Sequence, residues 1–476
     1  MITHQEIKNL ESEWGLREDV IEKDYVLGWL LWGIGQNSYL SEHLIFKGGT
    51  SLKKCFIETW RFSEDLDFTF IPKDTHFGVT EMERNIKAML DSVYNESGID
   101  FSVKPPKFKL FDKYPYYLEG RIYYRGPRNS RIEGSVKLDI LSSEEVFMQP
   151  VFREIHHPYS DRLPENATVK CYSFEEVFTE KIRAMAERCR PRDLFDIILL
   201  YRDKFQFEDM KTIRDLLEKK CNIKKLSIPT LDSIKNSSHY PALEGEWKNM
   251  LAHQLPHLPP IASFLDDLIR FFDWLEAGII AEAPIAIATH PGENIEIRQY
   301  QGIQHWNAPV PLEKIRYAAV NHLFIKLLYR KQNEETKEYI LEPYSLRRKH
   351  SGELLLYALK EGEIQPKQFR VDRMIRIEIT NKPFIPRYKV EFASTGFINA
   401  PEINRTEKQN FSEPFKQTHK RSSFILNKNG IQYIFQCPYC QKKFSHLKKE
   451  NKLKSHKDKN GYQCSGKSGY YIECKN

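Results

Sequence analysis

Nowhere in its 476 residues does the chain reach the roughly 18 consecutive apolar residues that a membrane span requires. Its most apolar patch, Leu27 to Ile34, is far too short. The opening Met1-Ile-Thr-His-Gln-Glu-Ile-Lys8 also lacks a signal-peptide pattern, so the expectation is a cytoplasmic protein with no membrane partner. Cysteine is sparse, eight in all, and only Cys55, Cys171, Cys189 and Cys221 precede residue 437. Such scattered thiols do not make a disulfide framework. A dominant charge is missing too. The 72 Lys and Arg against 65 Asp and Glu leave only +7, so overall charge gives no reason to expect nucleic acid. No internal repeat is present, which removes solenoids from consideration.

What is present supports real cores: 41% hydrophobic and 13% aromatic residues, enough to exclude wholesale disorder. The length suits two to four domains, at roughly 100–200 residues each. Residues 3–35 read as two helices. Leu44–Phe46, Leu66–Ile71, Phe108–Phe111, Tyr116–Tyr124 and Ser135–Leu141 have strand character, and helices follow over 174–189 and 192–202, broken at Pro191. More helices continue to about residue 285, which is an α+β pattern. Pro284, Pro291 and Gly292 mark a linker, and 312–330 reads as one amphipathic helix with Leu312, Ile315, Ala319 and Leu323 on its stripe. Short strands are expected at Tyr339–Leu341, Leu354–Leu359, Gln368–Arg370 and Ile375–Ile379, then a polar tether.

Chemistry concentrates first at Phe46-Lys-Gly-Gly-Thr-Ser-Leu52 and Arg61-Phe-Ser-Glu-Asp-Leu-Asp-Phe68. Gly48 and Gly49 end a strand and open a helix, letting backbone N–H groups face a phosphate, with a hydroxyl of Thr50 or Ser51 to help. Asp65 and Asp67 share one face of a strand because side chains alternate, and Ser63 joins them. Asp139, an acid between apolar Leu138 and Ile140, fits a third carboxylate. Carboxylates converging beside a phosphate-binding turn suit Mg²⁺-assisted transfer from a nucleoside triphosphate. Asp193 and Asp196 are one turn apart on a helix, so either is a candidate for the site, although Asp193 equally suits a cap after Pro191.

These motifs carry a resemblance. Val20-Ile-Glu-Lys-Asp-Tyr25, Phe46-Lys-Gly-Gly-Thr50, Arg61-Phe-Ser-Glu-Asp-Leu-Asp67, Lys137-Leu-Asp-Ile140 and Glu180-Lys-Ile-Arg-Ala184 with Arg192-Asp-Leu-Phe-Asp196 resemble the AbiEii/AbiGii-type toxin nucleotidyltransferases, a branch of the polymerase-β-like superfamily. The resemblance implies a nucleotidyltransferase domain over 1–285, with its catalytic sheet at about 40–165 and a helical part at about 170–285. It implies Mg²⁺ on Asp65 and Asp67, Asp139 as general base or further ligand, and Lys181 on the triphosphate. It also implies an RNA acceptor such as a tRNA 3′ end, a role as the toxin of a toxin–antitoxin or phage-defence system, and a cognate antitoxin.

Residues 298–395 resemble a WYL-type module through Tyr329-Arg330, Leu341-Glu-Pro-Tyr-Ser-Leu346, Gly352-Glu-Leu-Leu-Leu-Tyr-Ala358 and Phe369-Arg-Val-Asp-Arg-Met-Ile375. The eponymous Trp-Tyr-Leu is here Leu354-Leu355-Leu356, which removes an aromatic platform for bases. Arg347, Arg348, Arg370 and Arg373 are expected either to form an anion pocket or to coat an exposed face. A linker over 396–430 leads to a unit at 431–476. There Cys437-Pro-Tyr-Cys440 with His456 and Cys464 supplies a donor set for structural Zn²⁺, His446 and Cys474 being alternates. Lysines from Lys442 to Lys459, interleaved with aromatics, suit nucleic-acid phosphates. The competing expectation is a nucleic-acid-binding or ligand-sensing regulator that uses the transferase fold as scaffold.

Overall fold

Burial around a whole helix organises the N-terminal part. In the computed structural model, α1 (His4–Trp14) starts where the Thr3 hydroxyl accepts from the Glu6 N–H and stops at left-handed Gly15. In α2 (Glu18–Gln36), Val20 to Ile34 are all buried except Lys23. Two acids go inside with it. Asp24 accepts from Lys54 Nζ at 2.7 Å and Tyr159 Oη at 2.9 Å, and Glu22 accepts from the Arg128 backbone N–H. The structure describes residues 1–57, 61–72, 77–202, 210–277, 285–287, 293–296, 308–392, 398 and 400–405. Toward the C-terminus it describes 432–437, 440–446, 452–457, 464 and 470–475.

The elements that follow α2 are α3 (Ser38–His43), β1 (Leu44–Lys47), α4 (Gly48–Ser51), a wide turn Leu52–Phe56, β2 (Asp65–Phe70) and α5 (Val79–Ser97). Then come β3 (Lys107–Phe111), β4 (Tyr114–Tyr124), β5 (Gly134–Leu141), β6 (Val151–Glu154) and β7 (Thr168–Cys171). They form one sheet in the order β3-β4-β5-β2-β1-β7-β6. Parallel pairing of β2 with β5 sets Asp65 opposite Lys137 and Asp67 opposite Asp139.

Among the described residues, six α-helices follow: α6 (Phe174–Arg188), α7 (Pro191–Arg202), α8 (Met210–Ile223), α9 (Leu231–Lys235), α10 (Ala242–Leu251) and α11 (Ile261–Ala277). Ser173 caps α6, left-handed Cys189 ends it, and Pro191 opens α7, where its missing N–H costs nothing.

A second sheet contains β8 (Glu293–Glu296) and, after α12 (Leu312–Val320), β9 (Leu323–Arg330), β10 (Thr336–Arg348), β11 (Leu354–Lys360), β12 (Lys367–Arg370), β13 (Met374–Pro383) and β14 (Glu402–Arg405). The helix expected over 312–330 is therefore half helix and half strand. His322 takes φ +56°, a left-handed turn that helices do not propagate through, and the run Leu323-Phe-Ile325 beyond it suits a strand. β10 is also longer than the expected Tyr339–Leu341, because a bulge between Pro343 and Ser345 carries the strand past the proline. Residues 402–405, expected in the tether, form β14, paired with β8 and β10. The rest of the linker beyond 405, with Lys448, Lys449 and Lys459, lies outside the described residues.

The chain divides into two units, Met1–Lys408 and Gln409–Asn476. Within the first, one apolar core runs from Ile7 through Phe195 and Ile315 to Ile377. The second holds a three-stranded sheet of β15 (Gln432–Gln436), β16 (Lys443–His446) and β17 (Tyr470–Lys475), in the order β16-β15-β17. Among the described residues no helix is long and apolar enough to cross a membrane.

The Asp24–Lys54 pair, with side chains 3% and 1% exposed, should be a sensitive point of the fold. Burial pushes the Asp24 carboxyl up, but Lys54 and Lys53 outweigh it and hold it below the usual range. Lys54→Met should therefore cost about 3–5 kcal/mol, the scale for a buried charge stripped of its partner. Equilibrium denaturation checks this, and an unchanged midpoint would show the pair to be dispensable.

Candidate functional site

The two glycines of the β1–α4 turn stand where side chains would collide with charged groups. Gly48 has φ +83°, and a Cβ there would lie 2.4 Å from Asp67 Oδ2; one on Gly49 would lie 2.7 Å from Arg61 Nη2. The hydroxyls of Thr50 and Ser51, expected on phosphate, turn to backbone carbonyls instead. Thr50 Oγ1 donates to the Asp65 carbonyl at 2.5 Å and Ser51 Oγ to the Gly48 carbonyl at 2.8 Å, and both residues are buried. These hydroxyls brace the turn and tie it to β2. Ser63 is half-buried just ahead of the carboxylates.

Asp65, Asp67 and Asp139 share a face of the sheet, as strand alternation implies, and all are half-buried. Burial raises the Asp65 carboxyl, and Asp139 adds to the effect. Asp67 is pushed up to about 6 by burial and by the charges of Asp139 and Asp65, against the pull of Lys47 and Lys181. Such a cluster carries more negative charge than its surroundings neutralise, and hard oxygen donors in that state fit a divalent cation such as Mg²⁺. Two neighbours of Asp139 went unnoticed in the sequence: Tyr117 Oη donates to it at 2.5 Å and Lys137 Nζ at 3.0 Å. Lys137 was legible, lying two strand positions before Asp139 on the same face. Tyr117 depends on the β4–β5 register. Lys47, which faces Asp67 across β1 and β2, is ion-paired with Glu144.

Behind the carboxylates lies a buried ion network. Asp196, with no exposed side-chain surface, accepts from Arg61 Nε and Nη2 at 2.8 Å each and pairs with Lys181 Nζ at 2.8 Å. Burial pushes its carboxyl up, but Arg61 and Lys181 outweigh that and hold it at about 2. Asp196 therefore positions cations, a correction to its expected catalytic role. Asp193 is corrected likewise: both its oxygens accept from Arg188 at 2.8 Å, so it neither caps α7 nor turns to the other carboxylates. Lys181, only 8% exposed, adds its charge near Asp67 while bound to Asp196.

The four arginines of the second sheet do not form a shared anion pocket. Arg347 is wholly buried, bound to Glu391 at 2.9 Å and the Ile287 carbonyl at 2.8 Å, and it stacks 4.4 Å from the Tyr357 ring. Arg370 is already neutralised by Glu353 at 2.5 Å and Asp372 at 2.6 Å. Arg348 ends β10 beside Leu354 and Glu402, and Arg373 is half-buried. A cleft of about 880 Å³ opens between α1 and the start of α12, floored by Lys53 and Phe62, and none of the three carboxylates lines it.

In the C-terminal unit, Cys437, Cys440, His456 and Cys464 place their donor atoms within 4.8 Å of one another. Cys437 and Cys464 sulfurs stand 3.6 Å apart, too far for a disulfide. His456 Nδ1 bonds the Lys454 carbonyl at 2.8 Å, while its buried Nε2 has no hydrogen-bond partner. A histidine fixed through one nitrogen with the other bare is how imidazole is presented to a metal. Three thiols and this nitrogen fit tetrahedral Zn²⁺.

Comparison with known proteins follows the same division. Residues 29–277, just over half of the chain, match the family model described as nucleotidyl transferase AbiEii toxin, type IV TA system, and residues 311–379 match that of the WYL domain. Similar solved structures include MenT4, a nucleotidyltransferase toxin of Mycobacterium tuberculosis H37Rv. It is 18% identical, with 58% of this chain and 89% of that one covered and a TM-score of 0.39. The proteasome accessory factor B/C of Arthrobacter aurescens is also 18% identical, over 37% of this chain and 24% of that one, with a TM-score of 0.16. No curated protein is a match.

If Asp196 holds both cations, Asp196→Asn should destabilise the fold by about 3–5 kcal/mol, since it leaves two buried positive charges with no anion. Chemical denaturation measures it. A loss below about 1 kcal/mol, the worth of an exposed pair, would mean that the network is hydrated.

Proposed function

The chain belongs to the AbiEii nucleotidyltransferase toxins of type IV toxin–antitoxin systems, and from that premise we propose that it moves a nucleoside monophosphate from an NTP onto RNA, a tRNA 3′ end being the leading acceptor. The observation that carries this reading is the register of β2 on β5, which joins Asp65, Asp67 and Asp139 beside the Gly48-Gly49 turn. Mg²⁺ bound by Asp65 and Asp67, with Asp139 as further ligand or base, would offset the charge of the phosphates. The chain's own groups do the rest. Backbone amides at Gly48 and Gly49 and the ammonium of Lys181 hold the triphosphate, with Ser63 alongside. Tyr117 and Lys137 fix the Asp139 carboxylate where it meets the acceptor hydroxyl. With Asp139 as base, the acceptor hydroxyl gives it a proton as its oxygen bonds to the α-phosphorus, the bond from that phosphorus to the β-phosphate oxygen breaks, and pyrophosphate departs.

In this reading residues 1–285 form the transferase domain, 298–395 a WYL-like regulatory module, and 431–476 a zinc unit whose lysines grip acceptor phosphates. A cognate antitoxin is the partner expected of a toxin.

Purified protein given each labelled NTP with total cellular RNA tests the reaction, and no label transfer from any NTP would overturn it. Asp67→Asn should lower transfer by about 100-fold or more, the scale for one preorganised electrostatic group. It should not lower the melting temperature, because burial already disfavours the charge that is lost. An active Asp67→Asn enzyme would remove Asp67 from the site.

For the C-terminal cluster, elemental analysis should find one zinc per chain. Cys437→Ser should release it and unfold that unit, which has little apolar core of its own. Zinc-free protein with a folded C-terminal unit would exclude the assignment.

A further inference from the structure

Arg188 is the last residue of α6, seven positions after Lys181, so the two lie two turns apart along one helix face. Each meets a carboxylate of α7: Lys181 pairs with Asp196 and Arg188 with Asp193. The second pair is lopsided. Asp193 has no exposed side-chain surface, whereas the Arg188 side chain is 56% exposed. Only Nε and Nη2 of the guanidinium are engaged, at 2.8 Å to each Asp193 oxygen, which leaves Nη1 directed elsewhere. A pair serving stability alone has no need to bury the acid and expose the base. A buried acid gripping both inner donors of an exposed arginine fixes the direction of its outer ones.

Backbone geometry fixes it further. Cys189 takes φ +47° and Pro191 begins α7, so Arg188 sits at a rigid elbow between helices. The Asp67 carboxylate acts on the Arg188 charge, as it does on Lys181, which shares that helix face. Four nearby cations are already ion-paired, Lys47 to Glu144, Lys137 to Asp139, Lys181 and Arg61 to Asp196, while half-buried Arg192 donates to the Met250 carbonyl at 3.5 Å. Arg188 keeps donors for a ligand.

We propose that Arg188 grips the terminal phosphates of the incoming nucleoside triphosphate and of the departing pyrophosphate, with buried Asp193 as its positioning residue. This rests on the nucleotidyltransferase reading. A planar fork suits phosphate oxygens in a way that the point charge of Lys181 does not, so the two cations divide the task. The acceptor backbone is the less favoured target, because Arg188 shares its helix face with Lys181 rather than extending from the β4–β5 side, where Tyr117 and Lys137 orient Asp139.

The test is steady-state transfer with NTP varied and inorganic pyrophosphate as product inhibitor. R188A should raise the KM for NTP by about 10-fold or more and weaken pyrophosphate inhibition by a similar factor, with the KM for RNA unchanged. R188K, which keeps the charge without the fork, should fall between. D193N should shift both constants in the same direction by releasing the arginine. Because R188A strands a buried carboxylate, the double variant R188A/D193N removes both charges and keeps the measurement possible if the single variant fails to fold. Unchanged NTP KM and pyrophosphate inhibition in the folded double variant, or a rise confined to the KM for RNA, would overturn the assignment. Wild-type protein that transfers nothing would instead overturn the underlying reading, and Arg188 with it.

Discussion

One carboxylate holding two cations in the interior is the constraint from which the site is built. Asp196 fixes Arg61 at the entrance to β2 and Lys181 on α6. Because one acid faces two bases, the network keeps a positive excess directly behind Asp67. Lys181 of this network, together with the stronger pull of Lys47, opposes the push of Asp139 and Asp65 on Asp67. The helical part adds a second hold on the same point. Gln254 accepts from Arg61 Nη1 at 2.9 Å through its side chain and from the Phe62 N–H at 3.0 Å through its backbone. Sheet and helices are thus joined at the two residues that lead into the carboxylates, so the chemistry of the sheet depends on helices remote in sequence.

The same logic ties the second sheet to the first part. Tyr317 on α12 donates to the His257 carbonyl at 2.6 Å, and Arg202 of α7 donates to the Asn321 carbonyl at 3.3 Å, while Ile315 and Leu323 enter the common core. Arg202 stands on the helix that carries Asp193 and Asp196, and its other partner is Asp267 of α11. A shift of α12 would be felt along α7. Direct contacts thus run from the end of α12 to the helix that carries Asp193 and Asp196.

Much of this was legible in the sequence, and what was not has identifiable causes. Strand alternation placed Asp65 and Asp67 together, and Lys137-Leu-Asp-Ile140 marked Asp139, because a period of two survives in any sheet. The C-terminal donor set was legible because a metal site in a small unit leaves few choices of ligand. Asp193 and Asp196 were visible as neighbours, but their partners were not: Arg61 lies in a segment distant from α7, and no periodicity connects the two. Thr50 and Ser51 misled because a hydroxyl beside a glycine turn looks the same whether it serves a ligand or the backbone. Arg347 misled for a related reason, since an arginine reads as surface until Glu391 is found beside it in the interior. The helix expected over 312–330 failed where apolar spacing fits both periods, and His322 in the left-handed region decided the matter.

These failures share a direction. Residues that sequence reasoning assigned to ligands often proved to hold other residues, and the charge left over appears on side chains that it passed by. Asp193 illustrates the exchange: an acid read as catalytic spends both oxygens on Arg188, and the outward half of that arginine becomes the group available to an anion. Here a buried acid is set against an exposed base, because an unheld arginine would spend its fork on water and rotamer freedom. The functional atom of this pair is then its outer member, and the motif residue that looks reactive is the one that aims it.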